Sequence, residues 1–197
     1  MAIREVLKLG NPQLYEVSAL VRREEIPALK PTIQDLHDTL MDFRAGYGAG
    51  RAIAAPQIGA MKRLIYMHIA EPVVFVNPAL TALSTEMMEV WDDCLCFPDL
   101  LVKVLRHRTC RIVYRDLGWN ECAMDLAGDL SELLQHEVDH LDGVLAVSRA
   151  MDGRSFALRS QISRTATSAS DQGLHPACPP TQMRQPSPRI SPPKPER

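Results

Sequence analysis

The segment LLQHEVDHLDG, residues 133–143, places two histidines four positions apart, with a glutamate directly after the first. On an α-helix, positions four apart lie on one face with Cβ atoms roughly 6 Å apart, so two imidazoles there could bind one ion. His136, Glu137 and His140 would then form a polar patch on an otherwise apolar helix. Buried polar groups of this kind cost free energy unless they are paired or bind a metal.

The residues around this motif predict the helix and its two ends. Asp129 followed by Glu132 matches a capping box, and Gly143 stands just past the last helical position. Between them, apolar residues recur at helical spacing. A bare H-x-x-x-H would fit a solvated helix face equally well. The H-E-x-x-H form is more specific, because its glutamate can act as a general base toward water.

Composition indicates one domain followed by a tail. The chain has 197 residues, 46% of them hydrophobic, and a formal net charge of −2. Residues 154–197 hold seven Lys or Arg, two Asp or Glu and eight of the 15 prolines, so they carry +5 and leave −7 for residues 1–153. We predict a folded domain over residues 1–153 and a basic, Pro-rich, disordered tail over 154–197. The nearly neutral overall charge argues against broad nucleic-acid binding by the domain.

The sequence predicts neither a signal peptide nor a membrane span. The N-terminal MAIREVLKLGNPQL lacks the apolar core of a signal peptide, and no apolar run reaches the roughly 18 residues that a span needs. We therefore expect a soluble, cytoplasmic protein with no membrane partner. We also expect a monomer, since no heptad pattern stands out.

Five cysteines, an odd number, indicate reduced thiols or metal ligation.

Short strands precede the late helix. A first helix is predicted from about Thr32 to Phe43, with Thr32 and Asp35 as a capping pair and His37 as a satisfied boundary histidine. The small-residue segment 46–60 predicts a loop in which backbone can approach a ligand closely. Apolar character predicts strands at 62–69, 73–76, 100–106 and 110–116. The fold class is therefore α+β with mainly antiparallel sheet.

A third metal ligand is offered by the segment WDDCLCF, residues 91–97. Catalytic metal sites usually take three protein ligands and leave one position open. Cys94 could supply a thiolate, and one cysteine with two histidines suits zinc or ferrous iron. A buried cysteine that only fills space is the alternative.

Three blocks occur in order along the chain: GRAIAAPQIG at 50–59, DDCLC at 92–96 and QHEVDHLDG at 135–143. Together they resemble the peptide deformylase family, whose pattern runs G-x-G-[LI]-A-A-P-Q-[IV]-G, E-G-C-L-S and Q-H-E-x-D-H-L-x-G. The likeness extends from about Ile3 to Val147. It implies an α+β fold of short antiparallel sheets around a central helix that carries the H-E-x-x-H.

The resemblance implies a metal-dependent hydrolase that removes the formyl group from N-formylmethionyl peptides. Cys94, His136 and His140 would bind one divalent ion, with Fe²⁺ expected and Zn²⁺, Ni²⁺ or Co²⁺ as alternatives. Glu137 would take a proton from the attacking water and return it to the leaving amine. The substrates would be nascent polypeptides, with transient contact to the ribosome.

The resemblance also implies how substrate is held. Gln57 and the backbone N–H of Leu95 would stabilise the oxyanion of the tetrahedral intermediate. Gly50 and Ile53 would line the groove in which the peptide pairs like an added strand.

Four residues depart from the family pattern. Ala52 replaces a glycine and is awkward if its φ is positive. Asp92 and Asp93 replace a Glu-Gly pair and bring an extra carboxylate near the ion, which would raise the pKa of Glu137. Cys96 replaces a serine.

Three alternatives stay open at this point. Cys94, Cys96 and the two histidines could hold a structural zinc. A zincin-type protease shares the H-E-x-x-H, but His175 in the predicted tail is a poor third ligand. A deformylase-like protein could also bind formyl peptides with little or no turnover.

Overall fold

The structure, a computed structural model, describes residues 2–162. It contains three helices and eight strands in this range, together with four short 3₁₀ turns. In chain order the elements are α1 (Lys30–Tyr47), β1 (Ala52–Ala54), β2 (Leu64–His68), β3 (Pro72–Thr81), β4 (Met87–Asp93), β5 (Leu100–His107), β6 (Thr109–Arg115), β7 (Glu121–Ala127), α2 (Asp129–Leu141), β8 (Phe156–Leu158) and α3 (Arg159–Ile162).

The strands form two antiparallel sheets. The first has the order β1-β2-β3-β6-β7, and the second has the order β4-β5-β8. Helix α2 contacts β1, β2, β3, β6 and β7 of the first sheet and β5 of the second. The predicted α+β class with antiparallel sheets around a central helix is therefore confirmed.

Helix α2 is held in place by its apolar side. Leu134 and Leu141 are fully buried and pack in one core cluster with Phe75 and Ile112 of the first sheet. Burying one such side chain contributes about 1.5–3 kcal/mol. This packing presents the opposite side of the helix, which carries the histidines, to the gap between the sheets.

The two ends of α2 differ from each other in how well the sequence predicts them. Its first residue is Asp129, and the cap is Gly128 with φ 54°, so the predicted capping box is wrong. At the other end Gly143 has φ +71°, and a Cβ there would lie 2.6 Å from the carbonyl oxygen of Tyr15. Glycine is therefore required at position 143 both by backbone conformation and by space.

Helix α1 is longer than predicted. It begins at Lys30, so Thr32 and Asp35 lie inside it and form no cap, and Asp35 instead accepts a hydrogen bond from Arg4 at 2.7 Å. His37 is a satisfied boundary residue as predicted, because its Nδ1 lies 2.7 Å from the hydroxyl of Tyr66.

The domain extends past the predicted boundary at residue 153. Strand β8 pairs with β5, and Arg159 of α3 contacts Asp93 at 2.5 Å. A three-residue strand offers too few positions for a period-2 pattern, which is why the sequence did not reveal it. The rest of the predicted tail, residues 163–197, lies outside the described residues. Within residues 2–162 no helix has the length and apolarity of a membrane span.

Candidate metal centre

Three potential ligand atoms converge between the two sheets. Cys94 directly follows β4, whereas His136 and His140 lie one turn apart on α2. The Cys94 Sγ is 3.2 Å from Nε2 of His140, and that nitrogen is 3.1 Å from Nε2 of His136. All three atoms lie within 4.8 Å of one another, and all three residues are buried. One small divalent cation fits such a set of one sulfur and two imidazole nitrogens.

Two polar atoms beside these three have no partner among the described residues. They are Oε2 of Glu137 and Nδ1 of His140, both buried. Buried polar atoms normally find partners, so the unpartnered oxygen of Glu137 agrees with a site built for an ion and water. Burial raises the pKa of the Glu137 carboxyl to about 7, and Asp92 adds to that rise. The carboxyl group can therefore exchange a proton near neutral pH.

A buried charge network lies behind His136. Its Nδ1 is 2.6 Å from Oδ1 of Asp92, a distance typical of an ion pair, although the N–H direction does not meet the alignment of a good hydrogen bond. The other oxygen of Asp92 accepts from Arg106 at 2.6 Å, and Arg106 also donates to Asp139 at 2.5 Å. Asp139 in turn accepts from Arg149 through both oxygens.

This network fixes the charge of Asp92. Burial alone would raise the pKa of its carboxyl, but His136 and Arg106 outweigh burial and lower it to about 2. An ionised carboxylate at Nδ1 orients the His136 ring so that Nε2 points toward the ligand cluster.

Gln57 lies on the other side of Cys94. Its Oε1 accepts a hydrogen bond from the backbone N–H of Ala54 at 2.8 Å, which fixes the orientation of the amide. The Nε2 then points toward the sulfurs of Cys94 and Cys96 at 3.7 and 3.6 Å. Among the described residues, none accepts a hydrogen bond from the N–H of Leu95. The side-chain amide of Gln57 therefore lies at the cluster, and Leu95 directly follows Cys94 in the chain.

A cavity of about 270 Å³ opens beside the cluster. Gly50, Leu95 and Glu137 are among the residues that line it. Ile53 does not, because its side chain is fully buried in the core. Of the two predicted groove residues, Gly50 thus lies at the cavity and Ile53 lies in the core.

Two of the departures from the family pattern cause no backbone strain. Ala52 belongs to β1 and Asp93 to β4, and neither has a positive φ. The positive φ angles just before β1 are at Gly48, 67°, and Gly50, 115°. Ala52 is among the residues that line the cavity, and Asp93 is paired with Arg159.

Cys96 stands outside the group of three ligand atoms. Its backbone N–H lies 3.4 Å from the sulfur of Cys94, and its own sulfur faces Gln57. The ligand atoms that lie within 4.8 Å of one another include those of Cys94, His136 and His140 but not that of Cys96, which disfavours the structural-zinc alternative with Cys96 as a fourth ligand.

Sequence reasoning missed Arg106, Asp139 and Arg149. Arg106 itself was one available indication of this network. Positions 102, 104 and 106 alternate along β5 and face inward, so a charged residue occupies an inward position. A charged residue in an inward position of a strand predicts a buried partner. The partner's identity depends on how the strands and α2 pack, which one sequence does not reveal.

A buried carboxylate beside a set of metal ligands is the arrangement by which hydrolases activate water. The class of protein that this fold and this site define is a metal-dependent hydrolase of the H-E-x-x-H type.

Comparison with known proteins narrows the class. The sequence model of the polypeptide deformylase family matches residues 3–155. Peptide deformylase 1 of Prochlorococcus marinus is 35% identical over 176 residues, covering 82% of this chain and 88% of that protein. Peptide deformylase of Treponema pallidum is 39% identical over 152 residues, covering 76% and 90%. The chain belongs to the polypeptide deformylase family and is an enzyme.

Solved structures agree with this assignment. The class I type b peptide deformylase of Acinetobacter baumannii, in a crystal structure with Met-Ala-Ser bound, superposes with a TM-score of 0.69 at 29% identity. The match covers 75% of this chain and 98% of that one.

Proposed function

We propose that this chain removes the formyl group from N-formylmethionyl peptides with one divalent ion held by Cys94, His136 and His140. The observation that carries the proposal is the convergence of these three ligand atoms within 4.8 Å, directly beside the unpartnered carboxylate oxygen of Glu137. A divalent ion bound there supplies Lewis acidity, which lowers the pKa of water and polarises a carbonyl oxygen.

Glu137 is the proposed general base and acid. Its carboxylate accepts a proton from the attacking water and later donates it to the amine nitrogen of the methionine, so that formate and a free N-terminus leave. Buried in a cavity wall, the group is shielded from bulk water and keeps a pKa near 7. Assistance of this kind contributes about 10² to 10⁴-fold in rate.

Gln57 and Leu95 are the proposed oxyanion donors. The amide of Gln57 is already oriented by Ala54, and the N–H of Leu95 has no acceptor to give up within residues 2–162. Preorganised donors need not rearrange when negative charge develops on the formyl oxygen, and each contributes about 3 kcal/mol in comparable sites.

The peptide is proposed to bind along the edge of β1. This strand is one of the two outer strands of the first sheet, and β4 is an outer strand of the second. An extended peptide can pair with such an edge through backbone hydrogen bonds. Gly50 would allow close approach, while Ile53, packed in the core, would hold β1 in position without touching the substrate.

Fe²⁺ is the proposed native metal, as the resemblance to the family implies. Zn²⁺, Ni²⁺ and Co²⁺ are the alternatives, because a thiolate with two imidazoles suits all four ions.

The proposed partners are nascent peptides, reached by transient contact with the ribosome in the cytoplasm. We propose that the chain works as a monomer. The A. baumannii relative with bound Met-Ala-Ser, the peptide that deformylation of formyl-Met-Ala-Ser would release, supports the substrate class.

Formate release tests this proposal. Iron-loaded protein is incubated with formyl-Met-Ala-Ser and, as a control, with acetyl-Met-Ala-Ser. We expect formate from the first peptide and no cleavage of the second. Equal rates for both peptides, or no formate at full metal occupancy, would reject the proposed reaction.

A further inference from the structure

Residues 48–51 form a wall segment that joins α1 to β1 and lines the cavity beside the metal centre. A second cavity, of about 200 Å³, is lined by the same four residues, so the wall segment lies between two cavities. Two of the four residues, Gly48 and Gly50, are glycines with positive φ. Glycine backbone has much conformational freedom to lose, so this segment needs contacts that hold it in one conformation.

Arg44, in the last turn of α1, supplies such contacts from the side of the second cavity. Its Nε donates to the carbonyl of Gly50 at 2.9 Å, and its Nη2 donates to the carbonyl of His68, the last residue of β2. Its own backbone carbonyl accepts from the N–H of Gly48 at 2.9 Å. One half-buried residue thus fixes the wall segment at two points and ties it to the neighbouring strand.

The bonds from Arg44 begin where the pairing of β1 with β2 ends. Beyond Ala52, the first residue of β1, one more bond joins the N–H of His68 to the carbonyl of Arg51 at 2.9 Å. The guanidinium of Arg44 then bridges the carbonyls of Gly50 and His68. The ordered edge of the sheet is therefore extended from Ala52 to Gly50 by a side chain.

The wall segment continues the edge along which the peptide is proposed to pair. Strand β1 is an outer strand of its sheet, and residue 50 lies two positions before its first residue. An added strand pairs with partner backbone in an extended, fixed conformation. Flexible residues that become ordered only at binding lower the affinity, whereas Arg44 orders these residues beforehand.

Arginine suits position 44 for two reasons. Its planar guanidinium presents several N–H groups in a fixed fork, so one side chain can reach two carbonyl oxygens at once. It also lies at the C-terminal end of α1, where the helix dipole favours a cation. Lysine would keep the second property and lose the first.

We propose that Arg44 is a positioning residue, which holds the wall segment in the conformation that receives the peptide backbone. The proposal rests on the deformylase function and deepens it, because it assigns part of substrate binding to a residue outside the three blocks of the family pattern. Within residues 2–162, the side-chain hydrogen bonds of Arg44 end on the wall segment and on β2. Arg44 should therefore affect peptide binding and leave the chemical step unchanged.

The test is Arg44→Met in iron-loaded protein, with formyl-Met-Ala-Ser as substrate. KM should rise about tenfold, because the loss of hydrogen bonds from a charged donor shifts the wall segment toward other conformations. The value of kcat should stay within about twofold of wild type, because saturating substrate restores the competent conformation. A purely structural role would instead reduce the folded, active fraction, which lowers kcat and leaves KM unchanged.

Two further measurements do not depend on turnover. Calorimetric titration with the product Met-Ala-Ser should show an affinity that is also about tenfold lower in Arg44→Met than in the wild type. Metal content should stay at one ion per chain, because the side chain of Arg44 bonds only to backbone carbonyls of the wall segment and β2 within residues 2–162.

Two variants complete the comparison. Arg44→Lys keeps the charge but lacks the fork, so its KM should lie between those of wild type and Arg44→Met, at least about threefold above wild type. The matched control is Arg115→Met, because Arg115 also donates to a backbone carbonyl, that of Trp119 at 3.4 Å, but in the connection between β6 and β7. Its KM and kcat should equal those of the wild type.

Arg44→Met decides the proposal, and Arg44→Lys decides it if the methionine variant does not fold. Wild-type KM and wild-type Met-Ala-Ser affinity in the folded variant overturn it, as do loss of the ion or a lower kcat with unchanged KM. If the wild type releases no formate, the proposed function fails, and the Met-Ala-Ser affinities of wild type and variants still decide this inference. Failure of the wild type to bind Met-Ala-Ser would overturn this inference as well.

Discussion

Replacing Arg106 with Met should destabilise the protein strongly, because the guanidinium is the shared partner of two buried carboxylates. The side chains of Arg106, Asp92 and Asp139 are 3%, 0% and 10% exposed. Asp139 keeps Arg149 as a partner, whereas Asp92 would be left beside the neutral, metal-binding imidazole of His136. Removing one member of a buried ion pair costs about 3–5 kcal/mol, because a charge remains buried without compensation.

This free energy corresponds to a drop in Tm of roughly 6–20 °C for a domain of this size. Thermal unfolding of metal-loaded protein, followed by circular dichroism, measures it. The matched control is Arg111→Met, because Arg111 and Asp125 form a solvent-exposed pair that contributes little to stability. Metal affinity of Arg106→Met should also fall about 10–100-fold, since Asp92 would no longer hold the His136 ring.

Adding Asp92→Asn to the Arg106→Met background provides a second check. The amide carries no charge, so the double variant should recover part of the lost stability. A Tm for Arg106→Met within about 4 °C of the Arg111→Met value would refute the assigned role of the network.

Three further changes test other parts of the structure. Cys96→Ser should keep one metal per chain and keep activity, whereas Cys94→Ser should lose the metal; loss in both variants would restore the structural-zinc alternative. Gly143→Ala should lower stability by about 1–3 kcal/mol, because of its positive φ and its approach to a backbone carbonyl, while Gly153→Ala, with open space around it, should be neutral. A chain that ends after Gly153 should melt roughly 5–10 °C below one that ends after Ile162, since β8 is lost. Equal melting of the two truncated chains would show that β8 adds no stability.

The sequence predicts α2 well because the helix has 13 residues and a continuous apolar stripe. Its histidines could be placed on one face from spacing alone. Cys94 lies 42 positions earlier, so the sequence alone offered it as a candidate third ligand, and the resemblance to a family then connected it with His136. Local periodicity carries no information on which strand end meets which helix face.

Contacts distant in sequence account for most of what was not predicted. Arg106 meets Asp139 because β5 packs against α2, and Arg51 meets Glu132 across 81 positions. Strands β1 and β8 have three residues each and owe their conformation to their partners β2 and β5. The strain expected at Ala52 does not arise, because the strand it joins has ordinary extended backbone.

Replacement of Glu137 by Gln tests the central claim most directly, with metal content and formate release measured on the same preparation. The carboxylate is assigned to proton transfer and not to metal binding, so Glu137→Gln should keep one ion per chain and lose about 10² to 10⁴-fold in turnover of formyl-Met-Ala-Ser. Loss of the ion, or retention of more than about a tenth of wild-type turnover with the ion bound, would contradict that assignment.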